Sequence, residues 1–342
     1  MRMRIAAGLV LAGLIVPGQA LAAQSAADPT KAAPADVPKK PPMRELPSPY
    51  TPNYAGGARP PAGNRPPDFA YGAYQRGQYV TAFREATKRI EADRKDAAAM
   101  TLLGELYNQG LGIRQDPVKA AEWYRLAAAQ NDSAAMSSLG LMTLDGRGVV
   151  KDPKEGRRWL ERASEAGSPT AAYNLALLLL GTGSPQDESR AATLFQKAAE
   201  GEIGPAQHAL GVLYLQGRGL PKDPAKAAEW FRRAADNGDL AGEVEFAILL
   251  FNGNGLPKDE VRAARYFLHA AQRGNAIAQN RVAKIYATGR GLQKSPLEAA
   301  VWNLMAAQQG LSDAWLDQTL SGLSSEEKAR AERIAAERTE TR

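Results

Sequence analysis

The sequence contains no cysteine and only two histidines. Without cysteine the chain has no disulfide, no thiol nucleophile and no thiolate metal ligand, so packing alone must hold it together, which a chain of this length can achieve. His208 and His269 fall on different predicted surfaces, so we expect neither a shared metal site nor a histidine-dependent catalytic triad. We predict no catalytic residue, no metal and no cofactor.

A long apolar run is also missing. The longest apolar stretch, residues 5–16, is shorter than the roughly 20 residues that span a bilayer. Basic residues precede it and Ala20-Leu21-Ala22 follows, which is the layout of a secretory signal peptide. The sequence therefore predicts cleavage after Ala22, a periplasmic or secreted protein, and no integral membrane segment once the leader is removed. An uncleaved anchor is the alternative.

The chain has no large excess of charge of either sign. The formal net charge of +6 is spread along the chain and forms no basic patch of the kind that marks nucleic-acid-binding proteins. We therefore expect no nucleic-acid partner. Proline, by contrast, is concentrated in residues 23–67, where alanine, glycine and lysine lie between the prolines. That composition predicts an extended linker without a core of its own.

Beyond the linker the sequence is periodic. A small residue and a bulky aromatic residue each recur every 35 or 36 residues, and in every copy the aromatic residue follows the small one by 19 positions. We expect the one shortened interval to fall between Phe195 and Gly211. The six pairs are Gly104 and Trp123, Gly140 and Trp159, Ala176 and Phe195, Gly211 and Trp230, Ala247 and Tyr266, and Ala283 and Trp302.

Each copy is predicted to form two helices. The first is rich in alanine and ends at a Gly-x-Gly pair such as Gly217 and Gly219, because glycine readily adopts the left-handed conformation that closes a helix. The second starts at Asp-Pro, as at Asp223-Pro224, because aspartate caps a helix and proline suits its first position.

These motifs resemble the Sel1-like repeat family, relatives of the tetratricopeptide repeat, most completely over residues 206–235. The resemblance implies an all-α solenoid of helix-turn-helix repeats that forms a right-handed superhelix. We divide the chain accordingly into a signal peptide at 1–22, the linker at 23–67, a tetratricopeptide-like capping hairpin at 68–96, six repeats at 97–310 and C-terminal capping helices at 311–342.

The first helices of the repeats differ mainly along one side. If that side lines the concave surface of the solenoid, its apolar middle forms a groove for a protein or peptide segment. The alternative is that tight curvature buries these residues as additional core. The predicted groove residues are Leu141, Leu144, Tyr173, Leu177, Leu180, His208, Val212, Leu215, Val244, Ile248 and Phe251.

The function that follows is an exported adaptor or scaffold, monomeric and not an enzyme, whose partner the sequence does not identify. The resemblance further suggests that it regulates an envelope protein such as a sensor kinase. The alternative is an envelope enzyme that hydrolyses β-lactams or peptidoglycan, because residues 325–328 read Ser-x-x-Lys. Ser324 and Glu327 offer a simpler interpretation of the same residues, namely a helix capping box.

Overall fold

A computed structural model describes residues 68–340 of the chain. Over this range the backbone forms sixteen helices and no strand, so the predicted all-α fold is confirmed. The helices are α1 Phe69–Gln75, α2 Tyr79–Ala92, α3 Ala97–Gln109, α4 Pro117–Ala129, α5 Ser133–Asp145, α6 Pro153–Glu165, α7 Pro169–Leu180, α8 Pro185–Glu200, α9 Gly204–Gln216, α10 Pro224–Asp236, α11 Leu240–Asn252, α12 Glu260–Gln272, α13 Ala276–Thr288, α14 Pro296–Gln308, α15 Ala314–Leu320 and α16 Ser325–Glu340.

The described residues divide into two compact units, 68–175 and 176–340. In the first unit each helix from α1 to α6 packs on the next one along the chain, and α3 also touches α5. In the second unit the helices from α8 to α14 pack in the same sequential way, α9 touches α11, and α16 packs on α14. Packing between consecutive helices is the arrangement of an α-solenoid, in which each repeat contacts only its neighbours. No helix within 68–340 is both long and apolar enough to cross a membrane.

Capping residues set the helix boundaries where the sequence predicts them. Asp223 caps α10 by accepting hydrogen bonds from the backbone N–H groups of Ala225 and Lys226, at 3.1 and 3.0 Å, and Pro224 occupies the first position. Where the Asp-Pro pair is absent or altered, Asp259 caps α12 and Ser295 caps α14. Each cap satisfies a backbone donor that the helix itself leaves unpaired.

The two glycines of a Gly-x-Gly pair such as Gly253 and Gly255 have different structural roles. The first ends a helix in the left-handed conformation, as Gly253 does at the end of α11 with φ of 71°. The second lies against the first turn of a helix in the preceding copy. A Cβ atom on Gly255 would stand 2.2 Å from the carbonyl oxygen of Pro224, which no side chain could tolerate. Gly148, Gly219 and Gly291 make equivalent approaches to Pro117, Glu188 and Glu260.

In three copies the residue 19 positions after the small residue is not the one that packs against it. The side chain that covers the small residue belongs to the next position along the helix. A Cβ atom on Gly211 would lie 2.7 Å from the ring of Phe231, and one on Gly104 would lie 2.7 Å from the ring of Tyr124. In the second copy Leu160 covers Gly140.

The tryptophans that precede these residues lie at the margin of the core. Trp230 is half-buried, and the guanidinium of Arg233 lies 4.7 Å from its ring centroid, whereas Phe231 is fully buried. Adjacent residues of a helix point about 100° apart, so only one of two successive aromatic residues can face the first helix squarely. In the third and sixth copies the aromatic residue 19 positions after the small one is itself buried. These residues are Phe195 and Trp302.

The third copy is short at a different place from the one expected. The spacing from Phe195 to Gly211 equals that from Phe231 to Ala247, so the missing residue lies earlier, in the turn between α7 and α8. There α8 begins at Pro185 and runs for 16 residues, whereas α10 has 13. The Thr182 hydroxyl in the shortened turn donates a hydrogen bond to the Asp187 carboxylate at 2.8 Å. This bond connects the turn to the first turn of α8.

Candidate protein-binding site

The predicted groove residues fall into two groups by exposure. Six of them are at most 8% exposed and form part of the packed interior, namely Leu141, Tyr173, Leu177, Leu180, Val212 and Val244. The other five are half-buried, namely Leu144, His208, Leu215, Ile248 and Phe251. Only members of the second group present appreciable surface to a ligand in this conformation.

The core environment explains the buried group in the second unit. Val212 and Val244 belong to one hydrophobic cluster together with Phe231 and Phe267, and Ile248 and Phe251 pack against its margin. A first helix that is apolar on most of its sides becomes buried on most of them, because its second helix and the neighbouring first helices each cover part of it. Periodicity alone therefore could not distinguish groove positions from core positions.

Ile248 and Phe251 meet at the wall of an open pocket in the second unit, with a volume of about 340 Å³. The two residues lie one turn apart on α11. Asn252, at the end of α11, also lines the pocket. The remaining walls come from α12, α13, α15 and the turn after α13, and consist of Phe267, Arg281, Lys284, Ile285, Thr288, Arg290 and Trp315. Ile248 and Phe251 are predicted groove residues, whereas Arg281, Arg290 and Trp315 carry no signal of a binding role in the sequence.

One face of α13 supplies most of the polar lining. Arg281, Lys284, Ile285 and Thr288 follow each other at intervals of three, one and three residues, which places them along a single helical face. This spacing was visible in the sequence. It does not by itself indicate a pocket, because charged residues along one helical face usually mark a solvent-exposed surface.

Aromatic rings form the apolar part of the pocket. The rings of Phe251 and Phe267 meet edge to face with their centroids 6.4 Å apart, and the guanidinium of Arg290 lies 4.5 Å from the Phe251 ring centroid. Trp315, which α15 contributes to the pocket lining, is 47% exposed. Large aromatic side chains that remain accessible are typical anchor points of protein interfaces.

Two of the three cations at the pocket are already paired. Lys284 contacts Asp313 at 2.5 Å, and Arg290 contacts Glu260 at 2.5 Å. Hydrogen bonds from Arg290 and Lys258 lower the pKa of Glu260 to about 2, so that carboxylate stays ionised and keeps its partners.

Arg281 is the third cation, and it makes no hydrogen bond or ion pair with any residue in 68–340 that the structure describes. Its electrostatic partner is Glu245, whose pKa is raised by burial and lowered only in part by Arg281. Arg281 therefore interacts with one carboxylate through space but forms no ion pair with it among the described residues.

Three polar residues of α3, in the first repeat, are buried. Thr101, Glu105 and Asn108 are at most 7% exposed. The hydroxyl of Tyr124 donates to Glu105 at 2.6 Å, and burial raises the pKa of that carboxyl group. This cluster belongs to the interior of the first unit.

The two histidines are not brought together. His208 is half-buried with its ring centroid 5.6 Å from that of Phe231, and burial lowers its pKa. His269 instead pairs through Nδ1 with Glu243 at 2.7 Å. Within 68–340 no group of three metal-ligating side chains occurs.

Ser325 lies in the first turn of α16 and is exposed. Its neighbour Ser324 forms the predicted capping box. The Ser324 hydroxyl accepts from the backbone N–H of Glu327 at 3.2 Å, while the Ser324 backbone N–H donates to the Glu327 carboxylate at 2.9 Å. The structure thus accounts for the Ser-x-x-Lys residues as the start of a helix.

The repeats match a known family model along most of the described chain. The model, the Sel1 repeat, matches six consecutive segments, 97–132, 133–168, 169–202, 204–239, 243–275 and 276–311. The chain belongs to the Sel1 repeat family.

Solved structures of Sel1 repeat proteins are among those similar to this chain. A Sel1 repeat protein from Oxalobacter formigenes is 31% identical, with 70% of this chain and 98% of that chain covered and a TM-score of 0.60. The protective antigen c5321 of uropathogenic Escherichia coli, described as displaying an SLR fold, is 25% identical over 80% of this chain and 67% of its own, with a TM-score of 0.49. No curated protein matches the chain. The Sel1 repeat fold supports a role as a protein-interaction scaffold.

Proposed function

We propose that this Sel1 repeat protein is an exported, non-enzymatic adaptor that holds a segment of a partner protein in the pocket formed by α11, α12, α13 and α15. The observation that carries the proposal is the open, aromatic pocket at Ile248 and Phe251. Concave, mostly apolar sites with a few well-placed polar groups are the usual binding sites of proteins. The pocket is wide enough for a few side chains of a peptide segment.

The export part of the proposal rests on residues 1–22, which lie outside the described part of the chain. A basic start, a short apolar run and an Ala-x-Ala end favour cleavage by signal peptidase. N-terminal sequencing of the protein recovered from the cell envelope should begin at Ala23. Recovery of the intact N-terminus, or of the protein in the cytoplasm, would contradict export.

An exported adaptor of this kind can regulate an envelope protein, such as a membrane sensor kinase, by occupying a segment that the regulated protein needs elsewhere. In that case the chain and its partner must meet through the pocket in living cells. A photo-crosslinking amino acid at position 251 should then capture one partner, which mass spectrometry identifies. The matched control is the same amino acid at Val261, which is 54% exposed on α12 and does not line the pocket.

The captured partner then allows a direct binding measurement. Phe251→Ala removes the aromatic ring from the half-buried wall of the pocket and should weaken binding of the purified partner at least tenfold, while Val261→Ala should leave it unchanged. Circular dichroism establishes that both variants keep their helical content. Equal crosslinking from positions 251 and 261, or full binding by a folded Phe251→Ala variant, refutes the pocket as the binding site.

A further inference from the structure

We propose, resting on the function above, that the partner segment is an acidic one, in which an aspartate or glutamate docks on Arg281 while an adjacent large apolar side chain lies against Phe251 and Trp315. Three features of the pocket point to this occupant, namely a cation that forms no ion pair, an apolar surface and a small volume.

The charge requirement comes from the three cations of the pocket. Lys284 and Arg290 each have a carboxylate within 2.5 Å, so they add little to the attraction of a further anion. Arg281 has no such partner among the described residues, and its guanidinium is half-buried. A guanidinium binds a carboxylate through two parallel hydrogen bonds, and these are stronger where water is partly excluded. An incoming carboxylate is therefore the group that Arg281 favours most.

The apolar requirement comes from the aromatic part of the lining. The half-buried Phe251 and the exposed Trp315 present aromatic surface that water covers in the free protein. An aliphatic or aromatic side chain releases this water, with a gain proportional to the apolar area that it covers. An anion without an apolar neighbour would use only half of the site.

The size of the pocket limits the occupant to a short segment. A volume of about 340 Å³ lies at the lower end of the range of small-ligand pockets, which holds a few side chains. The pocket thus recognises a local motif, in which a carboxylate and a large apolar side chain lie close to each other, and not the surface of a whole folded domain.

The chain's own linker has the wrong charge for this pocket. Residues 23–67 carry more basic than acidic side chains, so the positive pocket repels them on balance. The basic ones are Lys31, Lys39, Lys40, Arg44, Arg59 and Arg65, and the acidic ones are Asp28, Asp36 and Glu45. Charge complementarity therefore favours a separate, acidic partner over an intramolecular occupant.

The experiment begins with selection from a random-peptide display library on the mature chain. We expect enriched peptides to combine aspartate or glutamate with phenylalanine, tryptophan or leucine. The best peptide is then synthesised in two forms, as selected and with its acidic residue replaced by the matching amide. A synthetic peptide of residues 23–67 serves as a competitor.

Arg281→Gln should weaken binding of the acidic peptide about tenfold, and replacing the peptide's carboxylate by an amide should weaken binding to the unmodified protein equally. The two changes together should cost no more than either alone, since both remove the same contact. Arg265→Gln, an exposed arginine of α12 that does not line the pocket, is the matched control and should have no effect.

The outcomes separate this inference from the function on which it rests. Some peptides could bind, lose binding in Phe251→Ala, and yet show no preference for acidic residues or no response to Arg281→Gln. That result overturns the acidic motif and leaves the pocket in place. Absence of any selected peptide refutes both. Displacement of the acidic peptide by the 23–67 peptide at similar concentration shows that the linker is the occupant and overturns the proposal.

Discussion

Gly255 lies against the carbonyl oxygen of Pro224, so close that a Cβ atom at Gly255 would stand 2.2 Å from it. Pro224 is the first residue of α10, the second helix of one repeat, and Gly255 belongs to the turn of the next repeat. The contact therefore joins two repeats through backbone atoms alone. It explains why the second glycine of the Gly-x-Gly pair recurs, which the helix-ending role of the first glycine does not.

Substitution of Gly255 by alanine tests this contact. Gly255→Ala should lose about 1–2 kcal/mol of unfolding free energy because φ is +80°, and a further ~1–3 kcal/mol because the two repeats must move apart. Gly238→Ala is the matched control, since Gly238 has nearly the same φ of +81° but would meet nothing within 4 Å. Chemical denaturation should rank Gly255→Ala well below Gly238→Ala. Equal losses would show that the close approach is unimportant.

Alanine substitutions at Trp230 and Phe231 test which aromatic residue holds the repeat together. Phe231→Ala should cost about 3–5 kcal/mol, because the ring is fully buried above Gly211 and leaves a cavity. Trp230→Ala should cost less than ~2 kcal/mol, because part of its ring is already in water and its contact with Arg233 is exposed. Urea denaturation of both variants gives the comparison. A larger loss of stability for Trp230→Ala than for Phe231→Ala would show that the tryptophan is the main core residue of the repeat.

The buried carboxyl group of Glu105 predicts a dependence of stability on pH. Burial raises its pKa in the folded chain, whereas the hydrogen bond from Tyr124 and the charge of Arg147 lower it to a smaller extent. Between the ordinary pKa of about 4.3 and the raised one, the folded state binds more protons than the unfolded state. The free energy of unfolding should therefore fall as the pH rises through this window.

Glu105→Gln should flatten that part of the profile, because glutamine keeps the shape and the acceptor for Tyr124 without a titrating group. Glu122→Gln, at an exposed position on α4, is the control and should retain the slope. Denaturation midpoints measured from pH 4 upwards, in steps of about half a unit, test the difference. An unchanged slope in Glu105→Gln would assign the pH dependence to another group.

Serine 324 and serine 325 should differ sharply in their effect on α16. Ser324→Ala removes the hydroxyl that accepts from the Glu327 backbone N–H at 3.2 Å, and should cost about 1 kcal/mol of local helix stability. Ser325→Ala changes an exposed helical side chain with no such contact and should have almost no effect. Hydrogen exchange of the first turn of α16 should be faster in Ser324→Ala alone. Faster exchange in both variants would contradict the capping box.

The repeat length, the helix pairs and their caps could be predicted from the sequence because each depends on residues close together along the chain. Asp223 with Pro224 and the left-handed Gly217 are local signals of this kind. Burial of Phe231 against Gly211 could not be predicted, because Trp230 precedes it directly and residue spacing does not show which of two neighbours faces inward.

The candidate site could be predicted only in part. The half-buried Ile248 and Phe251 were both among the predicted groove residues, but so were Val212 and Val244, which are buried. Exposure depends on how neighbouring helices pack, and that is not encoded in the pattern of one helix. The role of Arg281 required knowledge of which carboxylates already neutralise the other cations of the pocket.

The backbone contact between Gly255 and Pro224 constrains how such an array can change in length during evolution. A duplicated or deleted stretch equal to one period supplies each turn glycine with an equivalent carbonyl in the copy before it. A stretch of any other length places a side chain, or an empty gap, where the glycine belongs. Genes for such arrays should accordingly grow and shrink by whole copies, with single-residue changes confined to turns such as the one between α7 and α8.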